Sequence, residues 1–169
     1  MTDGDNPETP DSSREGGQIY TDWAKLMEVY NEGLSLVEES ADYLAHEGET
    51  EKEAMPPLAL TAFMSESMRL TTRLTTMMSW LMLQRAVADG EITADEARKP
   101  EHRLRRQPRG VELDSITRGM LPERLTDLVE RSSRLYKRVE RLEKQFFAGT
   151  PDNPVQSMID RIESEMKKP

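Results

Sequence analysis

Eight positions constrain this chain more than any others. Leu121, Leu125, Leu128, Ser132, Leu135, Val139, Leu142 and Phe146 alternate steps of four and three without a break. Side chains at that spacing share one side of an α-helix but scatter over both faces of a strand, so the segment is predicted to be a helix with one apolar seam. Pro122 suits its first turn, and Gly149 with Pro151 closes it, giving a helix over about 121–147.

Two earlier segments carry the same kind of pattern. Ile19, Trp23, Leu26, Tyr30, Gly33, Val37 and Leu44, with Met27, Leu34 and Ala41 alongside, predict a helix over about 19–46 that ends near His46 and Gly48. Leu60, Phe63, Ser67, Leu70, Leu74, Met77 and Leu81 predict another over about 57–89, begun by Pro56 and Pro57 and ended by Gly90. Each stripe needs two partners to cover it, so the expected fold is all-α, a three-helix bundle running up-down-up.

The remaining segments are expected to be connections or tails. Residues 1–18 are acidic, rich in Pro, Ser and Gly, and poor in large apolar side chains, so a disordered tail is expected there. Residues 47–53 read as an acidic turn. Thr93 and Glu96 have capping-box spacing for a short helical piece at 94–99, and residues 98–120 read as a basic loop broken by Pro100, Pro108 and Gly110. Beyond the bundle at 19–148, a C-terminal tail over 149–169 holds a short amphipathic run, Val155, Met158, Ile159, Ile162 and Met166, with Asn153 and Gln156 as its cap. Such a run is marginal as a helix by itself.

Composition excludes much chemistry. The chain has no cysteine, which removes disulfides, thiolate metal sites and thiol nucleophiles and suits a cytoplasmic setting. No cofactor or metal is expected: His46 and His102 have no second His or Cys at metal spacing, and HExxH, GxSxG, Glu-x-x-His and phosphate-binding glycine loops are missing. Ser164 to Lys167 matches Ser-x-x-Lys, a pattern short enough to recur by chance. The most apolar stretch, Met77 to Leu83, is far below the roughly 20 residues of a membrane span, and neither a spanning helix nor a secretory signal is expected.

The formal charge of -9 is unevenly spread: residues 19–55 hold ten acids and two bases, whereas residues 120–148 hold seven bases and five acids. On the first long helix, Glu28, Glu32, Glu39 and Asp42 share an outer face, either plain solvent surface or an acidic docking strip. Arg124, Arg131 and Arg138 recur every seven residues on the third, either pairing with a neighbouring helix or forming a basic partner-binding edge. In the loop, Arg98, Lys99, Arg103, Arg105, Arg106 and Arg109 lack interleaved aromatics, so a solvated loop is favoured over a nucleic-acid contact.

The second long helix breaks the usual rule for a bundle surface. Opposite its core stripe stand Ser65, Thr72, Ser79 and Ala86 at intervals of seven, with Met68, Thr75 and Met82 beside them. Small side chains admit close approach and methionines adapt to irregular partners, so this face is expected to be covered. Self-association is the first reading, and cover by the C-terminal amphipathic run the second.

The same helix carries a resemblance. Glu66-Ser-Met-Arg-Leu-Thr-Thr-Arg-Leu74, Ser79-Trp80-Leu81 and Gln84-Arg85-Ala86-Val87 resemble the most distinctive stretch of the RcdA family, the regulators of CtrA degradation. Glu32-Gly33-Leu34, Leu36-Val37-Glu38, Tyr43-Leu44, Leu121-Pro122 and Ser133-Arg134-Leu135 are similar to that family too. The resemblance implies a dimeric three-helix bundle without enzymatic activity. It further implies an adaptor in bacterial cell-cycle proteolysis that, with a response-regulator partner, delivers regulatory proteins to the ClpXP protease. The alternative from a different class is a transcription-associated regulator touching nucleic acid through the basic loop, and an enzyme ranks third.

Overall fold

The computed structural model describes residues 12–105 and 113–148, with side chains from Trp23 to Phe147 outside the break. The expected disorder of residues 1–11, the C-terminal run at 155–166 and the loop positions Arg106, Pro108, Arg109 and Gly110 lie outside the described residues. Among those described, every regular element is helical: α1 (Ser12–Ala45), α2 (Glu47–Glu53), α3 (Pro57–Ala88), α4 (Ala94–Ala97), a 3-10 turn (Pro100–His102), α5 (Ser115–Met120) and α6 (Glu123–Ala148). The expected all-α bundle is present, with α1, α3 and α6 as its long members.

The whole of the predicted α6 seam faces inward. Leu125, Leu128, Ser132, Leu135 and Val139 are fully buried, and Leu142 and Phe146 pack against the same core. On α3, Phe63, Leu70, Leu74, Met77 and Leu81 are buried as predicted. The α1 face is rotated from the expected one: Val29, Tyr30, Leu36 and Tyr43 are the buried members, while Leu34 is exposed. Gly33 lies at the centre of this contact, where a Cβ would stand 2.6 Å from the Met78 Sδ, so the missing side chain is what lets α1 and α3 approach.

The order of directions differs from up-down-up in its last step. Glu28 and Glu39 of α1, and Glu47 at the start of α2, meet Arg138, Arg131 and Arg124 of α6 in reverse order, so α1 and α6 are antiparallel. Tyr30 lies against Arg85 and Gly48 against Phe63, so α1 and α3 are antiparallel as well. Arg73 meets Ser132 and Trp80 meets Phe146, which makes α3 and α6 parallel. Hence the connection between α3 and α6 is a crossover that returns along the bundle. At about 1.5 Å per residue α6 is a rod of roughly 39 Å, too long for a turn to span.

That crossover is not a bare loop. Leu104 is buried and its N–H donates to Glu143 Oε1 at 2.9 Å, while the Tyr136 hydroxyl donates to the Arg105 carbonyl at 2.7 Å. The predicted Thr93 cap forms, with Glu96 N donating to Thr93 Oγ1 at 3.2 Å. Residues 115–120, expected as loop, are helical because Asp114 accepts from the N–H groups of Ile116 and Thr117 at 3.0 and 2.9 Å. Two further boundaries shift. Residues 47–53 form α2 because Gly48 packs under Tyr43 and Phe63 and the Tyr43 hydroxyl donates to Glu51 at 2.6 Å. α1 begins at Ser12 rather than Ile19, since extending an existing helix adds a hydrogen bond per residue without a new nucleus.

Candidate functional site

The outer face of α3 is open. Ser65, Met68, Thr72, Thr75, Ser79 and Met82 are exposed, and Ala86 is half-buried. Met64, Met68 and Met82 are 60%, 73% and 58% exposed, large apolar side chains left without cover by the described residues. The hydroxyl of Ser79 donates to the Thr75 carbonyl at 2.8 Å, and Thr71 and Thr61 donate in the same way to Ser67 and Pro57. These hydroxyls are satisfied within the helix and present mainly methylene and methyl surface outward. The flanking cations are engaged elsewhere: Arg69 bonds Glu66 at 2.6 Å, and Arg85 pairs with Asp89 at 3.4 Å and lies over the Tyr30 ring. The result is an uncharged ridge along most of α3. Its Thr75 and Ser79 border a cleft of about 320 Å3 shared with His102, Arg103 and Arg105.

The two charged rows singled out in the sequence meet each other. Arg138 pairs with Glu28 at 3.2 Å and with Glu32, Arg131 with Glu39 at 2.8 Å and Asp127 at 3.2 Å, and Arg124 with Glu47 at 3.1 Å. Asp42 lies 3.2 Å from His46 Nδ1. Burial alone would lower the Arg131 pKa, but hydrogen bonds to Asp127 and Glu39 outweigh it and hold the guanidinium above its ordinary value. Each exposed pair contributes about 0–1 kcal/mol, so the rows set the register of α1 on α6 more than they stabilise it. A partner docking on either row has to displace these pairs.

Three of the described crossover cations are likewise engaged. Arg98 and Arg103 lie over the rings of Phe146 and Phe147, at 5.2 and 4.0 Å, and Lys99 pairs with Glu96 at 2.7 Å. His102 Nε2 stands 4.0 Å from Glu96. Among the described residues no group of three or more His, Asp or Glu converges to hold a metal ion, and no helix is long and apolar enough to cross a membrane.

Sequence reasoning missed a buried polar cluster. Arg73 is 2% exposed and donates to Ser132 Oγ at 2.7 Å and to the Val129 carbonyl at 3.3 Å. Burial pushes its pKa down from the ordinary value, while the nearby Glu66 carboxylate, itself buried, favours the charged form. Two signals existed. Ser132 interrupts an otherwise apolar seam, and Arg73 falls three residues after Leu70 and four before Met77, in phase with the core.

These features define a class first: an all-α helical bundle with an exposed, uncharged ridge along one of its long helices. The chain belongs to the RcdA family. A family profile described as a protein of unknown function, DUF1465, matches residues 20–166. The crystal structure of RcdA from Caulobacter crescentus CB15 is similar over 74% of this chain and 92% of that one, at 34% identity and a TM-score of 0.61. No curated protein matches the chain.

Proposed function

We propose that this protein is a non-enzymatic, cytoplasmic adaptor that assembles as a homodimer through the outer face of α3. It delivers regulatory proteins of the cell cycle to the ClpXP protease together with a response-regulator partner. The observation that carries the reading is the similarity to RcdA across the bundle, in which the recognisable block Glu66–Leu74 lies on the helix bearing the open ridge. The ridge supports assembly: two copies related by a two-fold axis can place it against itself, with small residues allowing close approach and methionines filling the gaps. The adaptor reading needs no reacting groups, since tethering alone raises the local concentration of cargo, up to about millimolar for short flexible linkers.

The experiment is a reconstituted degradation assay with purified protease, priming partner and candidate cargo. The protein should accelerate turnover of at least one regulatory protein and show no hydrolase or transferase activity alone. Failure to accelerate any candidate cargo, in a reaction where the protease degrades a control substrate, would refute the adaptor reading. The nucleic-acid alternative gains nothing from the structure, because Arg98, Lys99 and Arg103 are already engaged with residues of the chain.

A further inference from the structure

The cleft between α3 and the crossover brings two cations to a row of hydroxyls. Arg103 and Arg105 line it from the crossover, Thr75, Thr76 and Ser79 from α3, and its volume is about 320 Å3. The backbone that carries the two arginines is tied to α6. The Leu104 N–H donates to Glu143 at 2.9 Å, the Arg105 carbonyl accepts from the Tyr136 hydroxyl at 2.7 Å, and the Leu104 side chain is buried. Arg103 is extended (φ −67°, ψ 145°), so with Leu104 turned into the core its two neighbours share the outward side, about 7 Å apart along the backbone. Arg103 lies over the Phe147 ring at 4.0 Å, which fixes the guanidinium. A guanidinium placed over a ring keeps the N–H donors of its edge for other acceptors. Arg105 pairs with no carboxylate among the described residues. Against these two cations the cleft sets one carboxylate, Glu101, so it is locally positive in a chain of formal charge -9.

We propose that this cleft docks an extended acidic segment of a partner protein, with carboxylates at alternate residues. In an extended chain, residues i and i+2 point to the same side about 7 Å apart, the spacing at which Arg103 and Arg105 stand. Each carboxylate then receives charge-assisted hydrogen bonds from one guanidinium, and Thr76 on the α3 side adds a hydroxyl. Leu83 gives the cleft apolar surface for an aliphatic residue of the same segment. A single phosphate group would leave most of this volume to water and would meet Glu101, whereas a peptide can set an amide N–H against that carboxylate. A nucleic acid would find no stacking face, since Trp80 is only 4% exposed. The acidic surface elsewhere does not forbid such a partner, because a Debye length of about 8 Å at physiological ionic strength leaves the local charge to decide. Thr75 and Ser79 also belong to the open ridge of α3, so the segment would lie along its flank. The proposal stands on the cleft alone and does not depend on the adaptor reading.

The test is fluorescence anisotropy of the full chain with a fluorescein-labelled peptide, Gly-Ser-Glu-Leu-Glu-Leu-Glu-Ser-Gly, and with its counterpart in which Gln replaces each Glu. The Glu peptide should bind and the Gln peptide should not. Arg103→Gln with Arg105→Gln should weaken binding by about tenfold or more, because two sets of charge-assisted hydrogen bonds are lost together. Lys99→Gln removes a crossover cation that does not line the cleft and should leave binding unchanged. Thr76→Asp, which puts a carboxylate on the α3 side of the cleft, should weaken binding without altering the crossover, and circular dichroism checks that each variant is folded. Failure of the Glu peptide to bind at millimolar concentration, equal binding of the Gln peptide, or undiminished binding by the double arginine variant would overturn the proposal. Displacement of the peptide by inorganic phosphate beyond that by chloride at matched ionic strength would overturn it in favour of a small-oxyanion site. Displacement by an equimolar single-stranded oligonucleotide would overturn it in favour of nucleic acid.

Discussion

Replacing Arg73 by alanine should destabilise the bundle far more than the same change at any exposed charged residue of α3. Its guanidinium is 2% exposed, and it donates to Ser132 Oγ and the Val129 carbonyl across the α3–α6 contact. Truncation removes a charged donor from two acceptors, leaves a void among Leu70, Leu74 and Met77, and takes from the buried Glu66 a cation that stabilises it. Breaking one partner of a buried charged system costs about 3–5 kcal/mol. For a bundle of this size that corresponds to a fall in Tm of roughly 10–20 °C. Replacing both groups by apolar ones, Arg73→Met with Glu66→Leu, should recover most of the loss, because burying a charge is itself costly. The assay is thermal unfolding followed by circular dichroism at fixed protein concentration, since assembly shifts apparent stability. A fall of only about 3 °C for Arg73→Ala would mean that the guanidinium is not buried as described. A double variant as unstable as Arg73→Ala would show that shape, not charge, sets the cost.

Gly33→Leu should lower stability by about 1–3 kcal/mol, measured by urea unfolding, because even its Cβ falls 2.6 Å from the Met78 sulfur. Thr72→Arg with Ser79→Arg should convert a dimer to a monomer by light scattering, since like charges would face each other across the two-fold contact; a wild-type monomer or a dimeric variant would contradict assembly through α3. The Asp114 carboxyl is held below its ordinary pKa, chiefly by the Thr117 N–H and hydroxyl. Its stabilising effect on α5 is therefore present above the usual carboxylate range, about pH 4, and lost as pH falls through the lowered value. Hydrogen exchange at the amides of Ile116 and Thr117, corrected for intrinsic rates, should lose protection over that acidic window.

The helices were legible where one period dominated. On α6 every seam residue faces the core or packs against it, because an unbroken alternation of four and three admits a single apolar face. On α1 the apolar residues wrap more than one face, and only packing decides that Leu36 and Tyr43 go inside while Leu34 stays out. The parallel arrangement of α3 and α6 was not legible, since periodicity fixes a face and not a direction, and a long connection permits either. α5 was hidden because its cap, Asp114, precedes residues with little apolar periodicity. The open α3 face was readable as an absence of charge at Ser65, Thr72 and Ser79. The charged rows were visible, but that each would meet the other depends on α1 and α6 being antiparallel.

Titrating this protein against fixed protease, priming partner and cargo tests the adaptor claim most directly. Tethering requires one adaptor to hold both, so the degradation rate should rise, pass through a maximum and fall as excess adaptor occupies protease and cargo separately. A control substrate that needs no adaptor should be degraded at an unchanged rate throughout. A rate that climbs to a plateau while the control accelerates in parallel would contradict the account and assign the protein a direct activating effect on the protease.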